Sequence, residues 1–184
     1  MTAPAAGTML ATGATVWLTG LPSAGKTTLA RSLAAQLHRP VELLDGDEVR
    51  EFLSQGLGFS RQDRDTNVLR IGWVAATLAR HGVLVLASVI SPFADTRARV
   101  RTLHEQRGVA FVEVHVATPV EVCSDRDVKG LYARQAAGEL IGLTGVDAPY
   151  EVPGEPEAVV RTHEQSLEDS VAQLLEVLRD RGLA

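Results

Sequence analysis

Cysteine is almost missing from this chain. One cysteine in 184 residues, Cys123, rules out an intrachain disulfide framework and any zinc site built on paired thiolates. It stands in the apolar run Val120-Glu121-Val122-Cys123, where a buried structural thiol is expected rather than a nucleophile. No apolar run approaches the ~18 residues of a membrane span. The first 14 residues carry no lysine or arginine, so the charged start of a secretory signal is missing too. Both point to a soluble, cytoplasmic protein with no membrane partner and a disordered tail over residues 1–12. Basic residues are outnumbered: a net charge of −5 argues against a surface that coats nucleic acid, though not against a local basic pocket for a small anion. There is no internal repeat and no low-complexity segment.

The remainder reads as one ordinary domain. With 45% hydrophobic and 22% charged residues, the span 13–184 is long enough to bury a full core. Ala14-Thr15-Val16-Trp17-Leu18-Thr19, Val41-Glu42-Leu43-Leu44-Asp45, Val83 to Ile90, Ala110 to Val116 and Ala158-Val159-Val160 read as strands. Between them, Leu29, Leu33 and Leu37, then Asn67, Ile71, Val74 and Leu78, then a stretch from about Ala94 to Gln106, carry helical spacing. Thr118-Pro119-Val120-Glu121 combines an N-cap, proline at the first helical position and a capping-box glutamate. Ser166 reads as the N-cap of a last helix that carries Leu167, Val171, Leu174, Leu175 and Leu178 on one face and closes at Gly182. Alternation of strands and helices predicts an α/β fold: three layers, a parallel sheet of about five strands, and helices on both faces. Between about 126 and 150 the periodicity weakens and glycines recur, the profile of a mobile lid.

Chemistry enters with Gly20-Leu21-Pro22-Ser23-Ala24-Gly25-Lys26-Thr27, which meets the pattern G-x-x-x-x-G-K-[ST] at every fixed position, followed by Thr28. Glycines let backbone approach an anion where side chains would collide, and successive N–H groups then form a nest for phosphate oxygens. Lys26 is placed to reach the outer phosphates and Thr27 to ligate Mg²⁺. A strand before the motif and a helix after it put the phosphate at a helix N-terminus, which favours negative charge. The next strand ends in Asp45-Gly46-Asp47, with Arg50 beyond. Ligands of open α/β sheets bind outside the carboxyl ends of the strands. Two carboxylates there can orient Mg²⁺ waters or accept a proton from a hydroxyl, with Gly46 allowing a sharp turn.

Further motifs follow in order: Leu57-Gly58-Phe59-Ser60, Asp63-Arg64, Asn67, Arg70, Ile90-Ser91-Pro92, Arg126-Asp127-Val128-Lys129-Gly130-Leu131-Tyr132, and Thr144 to Glu151. With the loop, this ordered set resembles the adenylylsulfate kinase family of P-loop kinases, from about Val16 to Leu178. The resemblance implies transfer of the ATP γ-phosphate to the 3′-hydroxyl of adenosine 5′-phosphosulfate (APS), a small nucleotide substrate, with ATP and Mg²⁺ required. It implies that Gly20 to Thr28 hold ATP phosphates, with Arg126 near the base or phosphates. Asp47 would orient or deprotonate the acceptor, and Asp45 would support it or the metal. Arg50, Phe59, Arg64, Asn67, Ile90, Ser91, Lys129 and Leu143 would surround APS, Phe59 as a stacking surface for its adenine. Ser91 corresponds to a serine sometimes proposed to carry the phosphoryl group, though loop, metal and positioned hydroxyl suffice for direct in-line transfer. Members of the family often form homodimers.

Some positions depart from the family pattern. Leu69 stands for the first of two arginines after Asn67, and Ala94 for an arginine after Phe93. Ile141 stands where lysine is usual and Leu143 where phenylalanine is usual. That lysine would assist binding of the phosphosulfate, and that phenylalanine would form a second adenine wall opposite Phe59. Two readings follow: an adenylylsulfate kinase with an altered lid, or a paralogue that phosphorylates another small hydroxyl acceptor such as a different nucleotide or a sugar. A non-catalytic nucleotide switch fits less well, since Lys26, Thr27, Asp45 and Asp47 are all retained.

Overall fold

The computed structural model describes residues 12–184. The expected tail over 1–12 therefore lies outside the described residues, apart from Thr12, whose carbonyl accepts a hydrogen bond from Arg39 (2.6 Å). Strand β1 (Ala14–Thr19) is buried at every position, as an apolar, β-branched run covered on both faces should be. The other strands are β2 (Val41–Asp45), β3 (Leu84–Ser88), β4 (Ala110–Val116) and β5 (Ala158–Val160). All pairings are parallel, in the order β2-β3-β1-β4-β5.

Successive side chains of a strand point to opposite faces, and the core divides accordingly. Val16 and Leu18 of β1 join Leu84, Leu86, Val112 and Val114 on one face. Helix α1 (Lys26–Ala34) covers that face with Leu29 and Leu33, and the C-terminal helix (Leu167–Arg179) covers it with Leu174 and Leu178. Trp17 faces the other way, with Ala87, Val89 and Phe111, beneath Val68 and Ile71 of the helix Arg61–Ala79 and Val100 of the helix Ala94–Gln106. In chain order the helices after α1 are α2 (Gly46–Phe52), α3 (Arg61–Ala79), α4 (Ala94–Gln106), α5 (Val120–Arg126), α6 (Leu131–Ala136) and α7 (Leu167–Arg179). The helix after β1 thus lies on one face and the helix after β3 on the other. The tips of these adjacent strands flank a topological switch point, where ligands of such sheets bind.

Two local expectations need correction, and one stretch holds a helix that the sequence did not show. Helix α5 starts at Val120 with Pro119 as its cap and no side-chain capping bond. The Thr118 hydroxyl is instead drawn to the Ala24 carbonyl (3.0 Å) and Thr162 Oγ1 (2.8 Å), leaving the capping box unmade. Gly46 does not form a free turn; it opens α2, for which Asp45 is the N-cap, its Oδ1 accepting from the Asp47 N–H (3.0 Å). The stretch 126–150 contains α6, whose start is capped by the Asp127 carboxylate accepting from the N–H groups of Tyr132 (3.1 Å) and Ala133 (2.9 Å). The Ser166 cap of α7 forms as expected, accepting from Asp169 N–H (3.0 Å).

Beneath the tip of β3 lies a buried ion pair. Arg97 is 3% exposed and gives Nε to Glu113 Oε1 (2.8 Å), Nη1 to the Ser91 carbonyl (2.7 Å) and Nη2 to the Glu151 carbonyl (2.7 Å). Removing Arg97 leaves the buried Glu113 carboxylate with only the longer Arg101 contact (3.2 Å) and takes this donor from two carbonyls. Arg97→Ala is expected to lower the unfolding free energy by about 3–5 kcal/mol. Urea denaturation measures this, and a loss below about 1 kcal/mol, the scale of an exposed pair, contradicts the structural role.

Candidate active site

The site grows from the tip of β1. Gly20 has φ +155°, and a Cβ there would sit 2.5 Å from the Val116 carbonyl oxygen, so the chain passes only as glycine. Ser23 (φ +60°) and Gly25 (φ +101°) bend the backbone into the left-handed region on either side of buried Ala24. The first i−4 bond of α1 runs from Leu29 N–H to the Gly25 carbonyl (3.0 Å). The preceding amides of Lys26, Thr27 and Thr28 are the orphan donors of a helix start. The loop is held from outside. The Ala24 carbonyl accepts from Thr118 Oγ1 (3.0 Å), Thr162 Oγ1 (2.9 Å) and Arg126 Nη1 (3.3 Å). Arg126 also donates to the Thr162 carbonyl (2.9 Å), and the Tyr132 hydroxyl donates to the Pro22 carbonyl (3.1 Å).

Lys26 folds over this loop, donating to the carbonyls of Gly20 (2.9 Å) and Leu21 (2.7 Å). Burial, assisted by the positive charge of Lys129, holds its ammonium well below the ordinary lysine value, at about 8. Thr27 donates to Asp45 Oδ2 (2.7 Å) while the other oxygen of Asp45 caps α2. Asp47 follows on α2, exposed at the cleft mouth, and forms an ion pair with Lys129 from the segment between α5 and α6. Exposed pairs of this kind are worth roughly 1 kcal/mol or less, so Asp47 is readily released to another partner.

The opposite side of the cleft is built from α2, α3 and the tip of β3. The cleft encloses about 900 Å³. Phe59 is 63% exposed, with the guanidinium of Arg50 4.7 Å from its ring centre and that of Arg64 5.6 Å away. Arg50 donates to the Gly58 carbonyl (3.2 Å). Arg64, expected as an anion contact, is committed elsewhere: it donates to the Phe59 carbonyl (2.8 Å), Thr144 Oγ1 (2.7 Å) and the Gly142 carbonyl (2.6 Å), tying the 142–144 segment to α3. Asn67 is buried with its Oδ1 unpartnered.

Two further expectations change. Ser91, 1% exposed, sits at φ +40° with its hydroxyl accepting from Trp17 Nε1 (3.0 Å), so Oγ is anchored in the core rather than presented as a nucleophile. Leu143, expected as an adenine wall, lines the cleft but is only 5% exposed and packs in the same cluster as Ala24 and Tyr132. Ile141, two residues earlier, is 85% exposed and lines the cleft. Ile90 lines it as well, and its carbonyl accepts from Thr19 Oγ1 (2.7 Å).

Sequence reading missed Thr162, Thr118, Tyr132 and Ser88. Thr118 and Thr162 follow the carboxyl ends of β4 and β5, the location that open sheets reserve for ligands, and that positional rule was the available signal. The donor set suits a hard divalent cation: a loop hydroxyl, a carboxylate and the buried, unpartnered Ser88 Oγ at the neighbouring strand tip. Among the described residues no group of three His, Cys, Asp or Glu side chains forms an all-protein cage.

The low value of Lys26 has a linked consequence. A polyphosphate entering the loop favours the charged ammonium, so binding above pH 8 takes up a proton and affinity falls as pH rises through that value. Calorimetry of nucleotide binding near pH 9, repeated in buffers of different ionisation enthalpy, should register uptake approaching one proton, and Lys26→Arg should abolish it. Zero uptake by the unmodified chain contradicts a neutralised Lys26.

Comparison with known proteins agrees with this geometry. Residues 12–161 match the family model described as adenylylsulphate kinase. An adenylyl-sulfate kinase of Myxococcus xanthus is 54% identical over 173 residues, spanning 93% of this chain and 94% of that protein. Another, from Synechococcus sp. (strain JA-3-3Ab), is also 54% identical, spanning 92% and 96%. The structure of the Mycobacterium tuberculosis APS kinase in complex with AMPPNP and APS superposes with a TM-score of 0.86 at 39% identity, covering 92% of this chain and 99% of that one. The hexameric APS kinase from Thiobacillus denitrificans gives a TM-score of 0.70 at 38% identity, covering 95% of this chain and 30% of that one. A parallel sheet carrying a phosphate loop and a strand-tip carboxylate pair, matched over most of its length to these proteins, places the chain in the adenylylsulfate kinase family.

Proposed function

We propose that this protein transfers the γ-phosphoryl group of ATP to the 3′-hydroxyl of APS, forming 3′-phosphoadenosine 5′-phosphosulfate and ADP. The observation that carries this reading is the single cleft in which the Gly20–Thr28 loop, the Thr27–Asp45 pair and Asp47 stand opposite Arg50, Phe59 and Asn67. In this reading the amides of Gly20, Leu21, Pro22-Ser23-Ala24 and Gly25 to Thr28 wrap the triphosphate where those residues carry an N–H, and Lys26 turns from its carbonyl partners to the outer phosphates. Arg126 backs the loop through Ala24 and Thr162. Thr27 and Asp45 would hold Mg²⁺, which would supply positive charge against the triphosphate. Asp47 leaves Lys129 and accepts the proton of the acceptor hydroxyl. Phe59 offers its exposed face to the adenine of APS, Arg50 and Lys129 supply positive charge for the phosphosulfate, and Asn67 offers its free carbonyl oxygen. Transfer is in-line: the 3′-oxygen bonds to the γ-phosphorus as the bond to the β–γ bridging oxygen breaks. The chain acts as a soluble enzyme and pairs as a homodimer; no described helix is long and apolar enough to cross a membrane.

Three outcomes follow. ADP formation should depend on APS, vanish in Lys26→Ala and fall by about 10²–10⁴-fold in kcat in Asp47→Asn, the scale of general-base loss. ATP hydrolysis at one rate with and without APS contradicts the reading, and turnover of a different hydroxyl compound from an acceptor screen identifies a paralogue instead. Ile141→Lys, at an exposed cleft position, should lower KM for APS by roughly 10-fold or more, the worth of a charge-assisted hydrogen bond. Leu143→Phe, at a buried position, should instead cost about 1–3 kcal/mol of stability through overpacking. Steady-state kinetics and thermal melts separate the two.

A further inference from the structure

Among the described residues four buried side-chain polar atoms have no hydrogen-bond partner: Arg39 Nε, Ser54 Oγ, Asn67 Oδ1 and Ser88 Oγ. Only the residues Asn67 and Ser88 line the cleft. They belong to different sides of it. Asn67 is on α3, over the Trp17 face of the sheet. Ser88 is the last residue of β3 and pairs in register with Leu18 of β1 and Asp45 of β2. Paired residues of neighbouring strands share a face. Leu84 and Leu86, four and two residues before Ser88 on the same face, pack with Leu29 and Leu33 of α1. Asp45, on the other side of Ser88, reaches Thr27 in the first turn of α1 (2.7 Å). Ser88 therefore sits between Leu18 of β1 and Asp45, on the α1 face, 7% exposed, with its Oγ buried, and it lines the same cleft as Thr27 and Asp45.

A buried hydroxyl without a partner is destabilising, so this position gains only when something enters the cleft beside it. A serine hydroxyl accepts as well as donates, and Mg²⁺ retains waters that must find acceptors. We propose that Ser88 Oγ is the third protein oxygen of the cation site, a positioning residue that accepts a hydrogen bond from a metal-bound water while Thr27 and Asp45 hold the ion. The inference rests on the nucleotide site proposed above and does not depend on which acceptor is phosphorylated.

Electron paramagnetic resonance titration of Mn²⁺ into the full chain saturated with AMPPNP tests it without turnover. Ser88→Ala should weaken Mn²⁺ binding in that complex by about tenfold, as loss of a partner outside the metal's own ligands does elsewhere. Ser88→Thr, which keeps the hydroxyl, should stay close to the unmodified chain. In turnover assays the half-saturating Mg²⁺ concentration should rise for Ser88→Ala while KM for APS stays unchanged. The nucleotide-free alanine variant should melt no lower than the unmodified chain, since it removes an unsatisfied group; that melt also establishes that it folds. Mn²⁺ affinity of Ser88→Ala equal to that of the unmodified chain overturns the proposal, as does a lower melting temperature with unchanged metal binding. Intact metal effects in a chain that ignores APS would reject the acceptor assignment alone. Failure of the unmodified chain to bind Mn²⁺ with AMPPNP would reject both.

Discussion

Three donors converge on the carbonyl of Ala24, and the shape of the loop depends on them. Thr118 after β4, Thr162 after β5 and Arg126 at the end of α5 all point at this one buried oxygen. With Ala24 pinned, Ser23 and Gly25 hold left-handed conformations and the amides at the start of α1 face the cleft. A backbone turned this way has an intrinsic preference for anions, because its N–H dipoles are fixed before any ligand arrives. The loop is therefore a property of the sheet as a whole: the strands bring together residues far apart in sequence to support eight consecutive ones.

The same sheet divides the labour of the cleft. Side chains on the α1 face, Lys26, Thr27, Asp45 and Ser88, gather around the phosphates and cation in the proposed function. Side chains from α2 and α3, Arg50, Phe59, Arg64 and Asn67, form the opposing wall. Asp47 stands on α2 between the two sets, and its exposed pairing with Lys129 is too weak to lock it. Apart from Lys26, the most buried charge belongs to the scaffold. The Arg97–Glu113 pair and the Arg101–Glu157 pair (2.7 Å) fasten α4 to β4 and to the segment before β5, while Arg97 also braces the Ser91 turn.

The central strands were legible because parallel strands buried on both faces read as short continuous apolar runs; those at 14–19 and 110–116 match the observed elements, as do the edge strands at 41–45 and 158–160, of which 41–45 has no buried position. The phosphate loop was legible because its glycines answer a local geometric demand that φ at Gly20 and Gly25 makes explicit. Tertiary competition hid the rest. Thr118 has the composition of a cap, yet its hydroxyl is taken by Ala24 and Thr162, which no local pattern reveals. Ser91 entered only by its match to a family serine, and Trp17, 74 positions earlier, donates to its oxygen. Arg64 carries charge suited to an anion, while the carbonyls of Phe59 and Gly142 occupy its donors. Leu143 matched an aromatic position in a motif, but its burial follows from how the 142–144 segment packs beside the loop. Helix α6 went unseen because six residues are too few to show a helical period.

The most direct measurement is a crystal structure of the chain with AMPPNP, Mg²⁺ and APS together. The account predicts the triphosphate wrapped by residues 20–28, the APS 3′-oxygen roughly 3–3.5 Å from the γ-phosphorus and in line with the bridging bond, and Asp47 within hydrogen-bond reach of that oxygen. A triphosphate seated away from the loop, or Asp47 still paired with Lys129 and facing away from the acceptor, would contradict it.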